Sequence, residues 1–117
     1  MSHIITNITI GNWYLVRGKA VKISSSNVVW AFRDGCFPVL LTTEVLEVNG
    51  FKREGGAAYW HGEEYSMVVL FWNEGRKELI VSKTGDNQPY VMKMDVQYVH
   101  QLQDILRLCN INITIEL

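Results

Sequence analysis

Residues 96–110, VQYVHQLQDILRLCN, carry the clearest amphipathic pattern of this 117-residue chain. At about 100° per residue, the apolar side chains share one stripe of a helix and the polar ones take the other side. The stripe consists of Tyr98, Val99, Leu102, Ile105, Leu106 and Cys109. We expect Asp95 to be the N-cap and Asn110, which adopts left-handed geometry readily, to end the helix. Helix 96–110 therefore needs an apolar surface to pack on.

The stretch 64–72, EYSMVVLFW, is the best candidate for that surface. Apolar side chains occur on both of its faces, at 65, 67, 69 and 71 on one and at 68, 70 and 72 on the other. A strand of this kind is central in its sheet and covered on both sides. We expect helix 96–110 on one side. The other cover would be helix 42–49, the N-terminal strands or a second copy of the protein.

The segments before residue 41 are short and separated by frequent turns. Strand character occurs at 13–16, 19–23, 28–32 and 37–40, with Arg17-Gly18 as a tight turn. This spacing favours a curled meander or a small β-barrel, with a flat meander as the alternative. A short helix over 42–49 follows, with Thr42 or Thr43 as its cap and Gly50 at its exit.

The second half reads as a further meander. Beyond a polar, Gly-rich boundary at 53–56, strand signals recur around a hairpin turn at 73–76 and a polar loop at 84–89. Asn-Ile-Thr-Ile occurs at 7–10 and again at 112–115, which suggests edge strands at both termini. The predicted fold class is α+β: antiparallel β meanders, the N-terminal part small-barrel-like, with a short central helix and a long C-terminal helix packed on the sheet. We expect a single domain over 1–117, with sub-modules 1–52 and 53–117.

The composition is that of an ordinary globular domain, with 48% hydrophobic and 20% charged residues and a net charge of −1. Cys36 and Cys109 lie far apart without a CxxC spacing, which favours a reducing, intracellular compartment. No signal-peptide pattern opens the sequence, and no apolar run approaches the ~20 residues that span a bilayer. We therefore expect a cytoplasmic protein without membrane contact or cofactor.

Three ordered motifs carry a family resemblance. They are Ile10-Gly11-Asn12-Trp13, then Pro38-Val39-Leu40-Leu41-Thr42-Thr43-Glu44-Val45-Leu46 running to Asn49-Gly50-Phe51, and finally Tyr98-Val99-His100-Gln101-Leu102-Gln103. Through these motifs the chain resembles a family of small uncharacterised proteins from gut Bacteroidetes and their phages and mobile elements. It departs from that family near Leu41, where a more regular Pro-x-Pro-Leu-Thr approach is usual. The resemblance implies a bacterial cytoplasmic setting and a mobile-element origin, and it assigns no activity or catalytic residue.

The polar side of helix 96–110 is the first candidate site, because packing on a sheet does not require it. Its His-Gln pair suggests that a loop or a partner covers this side. Two tryptophans that flank hairpin turns are candidate interface anchors, although aromatic residues more often fill a core. The candidate interaction surface is therefore His100, Gln101, Gln103, Asp104, Trp60 and Trp72.

Nucleic-acid contact is the second candidate, since Arg17, Lys19, Lys22 and Arg33 make the N-terminal module locally basic. His61 beside Glu63 and Glu64 suggests a metal site, but such a site needs three or four ligands, and a turn explains the pattern better. No P-loop, dinucleotide fingerprint or nucleophile elbow is present. We predict a non-catalytic protein-interaction or accessory module, self-associating or bound to another protein. A small nucleic-acid-binding domain is the alternative, and an enzyme is the least favoured interpretation.

Overall fold

The computed structural model describes residues 4–53, 56, 58–63, 66–72, 78–83 and 90–117. In chain order the elements are β1 (Trp13–Val16), β2 (Lys19–Lys22), α1 (Val28–Asp34), β3 (Cys36–Phe37), α2 (Thr43–Val48), β4 (Lys52–Arg53), β5 (Ala58–Glu63), β6 (Ser66–Trp72), β7 (Glu78–Lys83), β8 (Tyr90–Asp95) and α3 (Val99–Leu108). The predicted boundary at 53–56 is only partly described, and the turn at 73–76 and the loop at 84–89 lie outside the described residues.

Two antiparallel sheets organise these elements. The smaller has the strand order β2-β1-β3, and the larger has the order β4-β5-β6-β7-β8, so that consecutive strands are neighbours. The predicted α+β class and the antiparallel pairing are confirmed. The N-terminal strands form a three-stranded sheet with one helix, so the small barrel is not confirmed.

The larger core lies between the sheet and α3. Leu70 and Trp72 of β6 are buried together with Leu102 and Leu106 of α3. The Trp72 indole also donates to the backbone carbonyl of Val96 at 3.0 Å, which satisfies its polar atom inside the core. The predicted packing of the helix stripe on this strand is confirmed.

Of the two covers predicted for strand 64–72, α3 is found on one face. On the other face neither α2 nor the N-terminal strands supply the cover in the described part of the chain, so a second copy stays a prediction. The odd-numbered face of β6 carries Val69, which is half-buried, and Phe71, which is 46% exposed. Its cross-strand neighbours on that face, Trp60 and Ile80, are also half-buried. No described element packs on this face as α3 packs on the other.

The segment 28–32 is helical, and its prediction as a strand is wrong. The apolar residues at 28, 30 and 32 suggested a period of two, whereas burial follows a period of three through Val28 and Ala31. The Asn27 side chain shapes the entry, since its carbonyl accepts from Ser24 N at 2.8 Å and its amide donates to the Lys22 carbonyl at 3.0 Å. This turn leads directly into α1.

The long helix is shorter than predicted at its start. Asp95 ends β8 and does not cap the helix. Tyr98, in extended geometry, precedes α3, and the side-chain carbonyl of Gln101 accepts from Gln97 N at 2.8 Å and from Tyr98 N at 3.0 Å. A glutamine at the third helical position is one half of a capping box. The predicted stop is confirmed, since Asn110 has a φ of 55°.

Both predicted terminal edge strands are wrong. Residues 7–10 contain no strand, and residues 111–117 are irregular, yet Ile111 and Ile115 are buried in the larger core. The Asn49 side chain holds this last segment by accepting from Glu116 N and donating to Glu116 O, at 2.6 and 2.9 Å. One amide side chain thus replaces the backbone ladder that an edge strand would have formed.

The short helix α2 follows its prediction closely. Thr42 caps it by accepting from Val45 N at 3.2 Å. Gly50 has a φ of 88°, and a Cβ there would lie 3.1 Å from the His61 ring, so both geometry and space require glycine. Phe51 then turns back into the larger core. The smaller core, in contrast, consists of Tyr14, Val16, Ile23, Ala31 and Cys36.

Candidate functional site

The polar side of α3 faces the start of β1. Gln103 is only 8% exposed. Its carbonyl accepts from Trp13 N at 3.0 Å, and its amide donates to the Gly11 carbonyl at 3.1 Å. Gln103 therefore joins the two sheets and does not lie on a free surface, which corrects its place in the predicted interaction surface.

Asn12 extends the same junction. This fully buried side chain donates to Asp104 Oδ1 at 2.8 Å and accepts from Arg107 Nη2. Arg107 Nη1 in turn contacts Asp104 Oδ1 at 3.2 Å. Two motifs far apart in sequence, 10–13 and 98–103, thus meet in one hydrogen-bonded seam. The predicted cover over this side of the helix is a segment of the same chain.

His100 lies half-buried at the edge of this seam. Its ring stacks on Tyr98 with centroids 5.9 Å apart and meets Tyr14 at 5.3 Å. Its Nδ1 atom is buried and makes no hydrogen bond to the described residues. Burial lowers the pKa of His100, and the negative charge of Asp104 opposes part of this shift. The neutral imidazole is therefore the form that this packing favours.

The two tryptophans that were predicted as surface anchors differ in their exposure to solvent. Trp72 is buried in the larger core, so its prediction as a surface anchor is wrong. Trp60 remains half-exposed, with Lys52 Nζ 4.7 Å from its ring centroid in a cation–π contact. Trp60 belongs to what we call the open sheet face, which consists of Trp60, Val69, Phe71 and Ile80.

Helix α1 buries a small apolar residue and exposes its larger ones. Its small residue Ala31 points into the core, whereas Val29 is 77% exposed and Phe32 is 61% exposed. Trp30 and Arg33 are exposed as well. We call Val29, Trp30, Phe32 and Arg33 the outer face of α1. The strand prediction had placed Val28, Trp30 and Phe32 together on one face and so did not find this surface.

Of the predicted nucleic-acid residues, Arg33 lies on α1 and Arg17 contacts its last residue, and three of the four have acidic partners. Arg17 Nε is 2.9 Å from Asp34 Oδ2, and Arg33 Nε is 3.9 Å from Asp34 Oδ1. The 2.9 Å contact is an ion pair without aligned hydrogen-bond geometry. Lys22 pairs with Glu116 at 3.0 Å, whereas Lys19 is exposed. Arg17 and Arg33 therefore share a single carboxylate, and Lys19 lies at the start of β2, just after the Arg17-Gly18 turn.

The net charge is near zero, but basic and acidic residues are unevenly distributed along the chain. Residues 1–43 contain four lysines and arginines and one aspartate, whereas residues 44–117 contain seven basic and eleven acidic residues. The N-terminal part is therefore net positive and the rest net negative. Sequence counting by segment would have shown this, although the total does not.

Other candidate chemistry is accounted for by packing. His61 lies within β5 and packs on Phe51 with ring centroids 5.0 Å apart, so its prediction as a turn residue is wrong. Cys36 is buried, and burial raises the pKa of its thiol. Among the described residues, no group of three His, Cys, Asp or Glu side chains could hold a metal ion.

A groove of about 280 Å³ separates the end of α3 from the C-terminal segment. Lys22 and Arg107 supply its positive charge, but Glu116 and Asp104 already pair with them. The groove therefore offers a binding volume without an uncompensated charge.

Comparisons with family models, with curated proteins and with solved structures give no match to this chain. In the part of the chain that the structure describes, no helix has the length and apolar character to cross a membrane.

Proposed function

We propose that this protein is a non-catalytic interaction module that self-associates through the open sheet face. The observation that carries the proposal is the position of Phe71, which projects from the central strand of the larger sheet and is 46% exposed. Val69 precedes it on the same face, and Trp60 and Ile80 flank this pair on the neighbouring strands. A contiguous group of partly exposed apolar side chains around one exposed ring is a feature of protein interfaces.

A second copy is the occupant that the charges of this face favour. Lys52 lies on edge strand β4 beside Trp60, and Asp95 ends β8 on the opposite edge. The register places both side chains on the open face, and both are exposed. A face with opposite charges at opposite edges complements a copy of itself in a two-fold interface. Facing sheets pack in this way at a spacing of about 10 Å.

The area of the face sets the expected affinity. Four strands of six or seven residues and the two-residue β4, about 4.8 Å apart and at 3.3 Å per residue, cover a plane of roughly 400 Å². Stable interfaces bury about 800 Å² on each partner, so this dimer should be weak and concentration-dependent. We propose that it forms in the bacterial cytoplasm, in the accessory role of mobile-element origin that the family resemblance implies.

Sedimentation velocity across micromolar concentrations tests the proposal. We expect a monomer–dimer equilibrium that the substitution Phe71→Glu abolishes, because two carboxylates would face each other across an apolar contact. The matched control is Phe32→Glu, the same change on the outer face of α1, which should leave the equilibrium intact. A strict monomer, or a dimer that Phe32→Glu breaks and Phe71→Glu does not, would contradict the proposal.

A charge exchange tests the orientation of the two copies. Lys52→Glu and Asp95→Lys should each weaken the dimer, because each places like charges opposite each other. The double variant restores opposite charges and should recover most of the affinity. If the double variant is weaker than either single variant, Lys52 and Asp95 do not face each other in the dimer.

A further inference from the structure

The outer face of α1 requires a different explanation from the open sheet face. Packing of α1 uses Val28 and Ala31, so the fold does not need Val29, Trp30 and Phe32 to be apolar. Exposing them costs solubility without any gain in core burial. A ligand that contacts this helix would give these side chains a role.

The surroundings of α1 define the charge of that ligand. Asp34 is the only carboxylate in the first 43 residues, and Arg17 and Arg33 both form ion pairs with it. Two guanidinium groups exceed one carboxylate by one positive charge, and exposed Lys19 adds another. The face is therefore apolar and aromatic with a positive border, which complements an anion that also carries flat apolar groups.

The directions of the two rings narrow the choice further. Trp30 and Phe32 are two residues apart and so point about 160° apart around the helix axis. They cannot both enter one flat apolar layer, as a helix lying on a membrane would require. They can each stack on a separate base, with Arg33 and Val29 between them.

We infer that the outer face of α1, with Arg17 and Lys19, binds single-stranded nucleic acid. Unpaired bases stack on Trp30 and Phe32, and the phosphates between them contact Arg33, Arg17 and Lys19. Stacking on aromatic side chains and tracking of the backbone by cations are the two general components of single-strand binding. This site is separate from the open sheet face, so it does not depend on self-association.

Fluorescence anisotropy of a labelled oligothymidylate of about 16 nucleotides tests the inference. The two uncompensated positive charges give a slope of about −1.4 for log K against log salt on a single strand. Affinity should therefore fall roughly sevenfold between about 50 and 200 mM salt. A blunt duplex of the same length should bind more weakly, because its bases are already stacked.

Substitutions separate the two components of binding. Phe32→Ala and Trp30→Ala should each weaken binding at least about fivefold without changing the salt slope. Lys19→Gln should reduce the slope by about 0.7. Lys52→Gln removes the same charge from the larger sheet and is the matched control, and Phe71→Glu reports on independence from the dimer. Neither should alter binding.

Four outcomes would overturn the inference. They are no binding at low salt, binding that Phe32→Ala and Trp30→Ala leave unchanged, equal affinity for the duplex, and binding only to vesicles of anionic and neutral phospholipid. Because Phe32 is mostly exposed, circular dichroism of Phe32→Ala should match the parent protein, and a loss of affinity then reports on the contact itself.

Discussion

The two helices that pack on the two sheets bury opposite kinds of side chain. α3 buries Leu102 and Leu106 on a five-stranded sheet, whereas α1 buries Ala31 on a three-stranded one. A broad sheet accommodates long side chains and gains free energy from each of them, about 1.5–3 kcal/mol when fully buried. The small sheet admits only a short side chain under α1, so its larger apolar residues face outward. The first region is therefore organised for stability, and the second presents apolar groups for contact.

Truncation of the α3 core should give the largest effect. Leu102→Ala is expected to lower the free energy of unfolding by roughly 2–5 kcal/mol, because it removes a fully buried side chain and leaves a cavity. Urea denaturation followed by tryptophan fluorescence measures the loss. The matched control on the same helix is Leu108→Ala, where the side chain is 63% exposed and the change should stay within about 0.5 kcal/mol. Similar losses at both positions would contradict the assigned faces of α3.

Sequence patterns predicted the first region better than the second. Residues 99–109 follow a helical period through about three turns, and the continuous apolar run of β6 is long enough to define a strand. The segment 28–34 spans barely two turns, and Val28, Trp30 and Phe32 match a strand as well as a helix. The turn formed by the Asn27 side chain and the small size of Ala31 favour the helix over the strand in this segment. Neither contributes to an apolar pattern.

The hydrogen bonds between the regions could not be predicted from sequence. Gln103 was predicted on a free surface and Asn12 was given no role, because nothing local signals that their partners lie 90 or more positions away. Asn49 likewise gave no sign of pairing with Glu116. An amide side chain can bond to the backbone in place of a neighbouring strand. Such a contact leaves no periodic pattern of apolar residues in the sequence, so periodicity cannot predict it. At the candidate site on α1, the basic residues Arg17, Lys19 and Arg33 were predicted from sequence, whereas the aromatic residues were missed because their helix was misassigned.

Breaking the Gln103 contacts should separate the two regions. Gln103→Met keeps the volume but leaves the Trp13 N–H and the Gly11 carbonyl without their partner, at an expected cost of about 1–3 kcal/mol. Hydrogen exchange should accelerate at the Trp13 amide and change little at Leu70. Gln101→Met is the matched control, since it removes a cap from α3 without touching β1. Uniform acceleration across both sheets would mean that they unfold as one unit.

The pH dependence of stability is the smallest effect, and it reports on the same seam. Burial lowers the pKa of His100 in the folded chain below the ordinary value of about 6.5 that applies in the unfolded chain. At pH values above about 6.5, the His100 ring is neutral in both the folded and the unfolded chain, and its packing contributes fully to the stability of the folded state. As pH falls below this value, the unfolded chain binds a proton that the folded chain resists, so stability declines until the folded pKa is passed.

His100→Gln should therefore flatten the decline in unfolding free energy between about pH 8 and about pH 5. The comparison is between slopes, because the variant also loses the ring contacts with Tyr14 and Tyr98 at every pH. A variant at position 100 with an unchanged slope would mean that the protonated ring fits between the tyrosines, with Asp104 compensating its charge. The seam would then tolerate acid, and the two regions would stay joined down to the pH at which the carboxylates titrate.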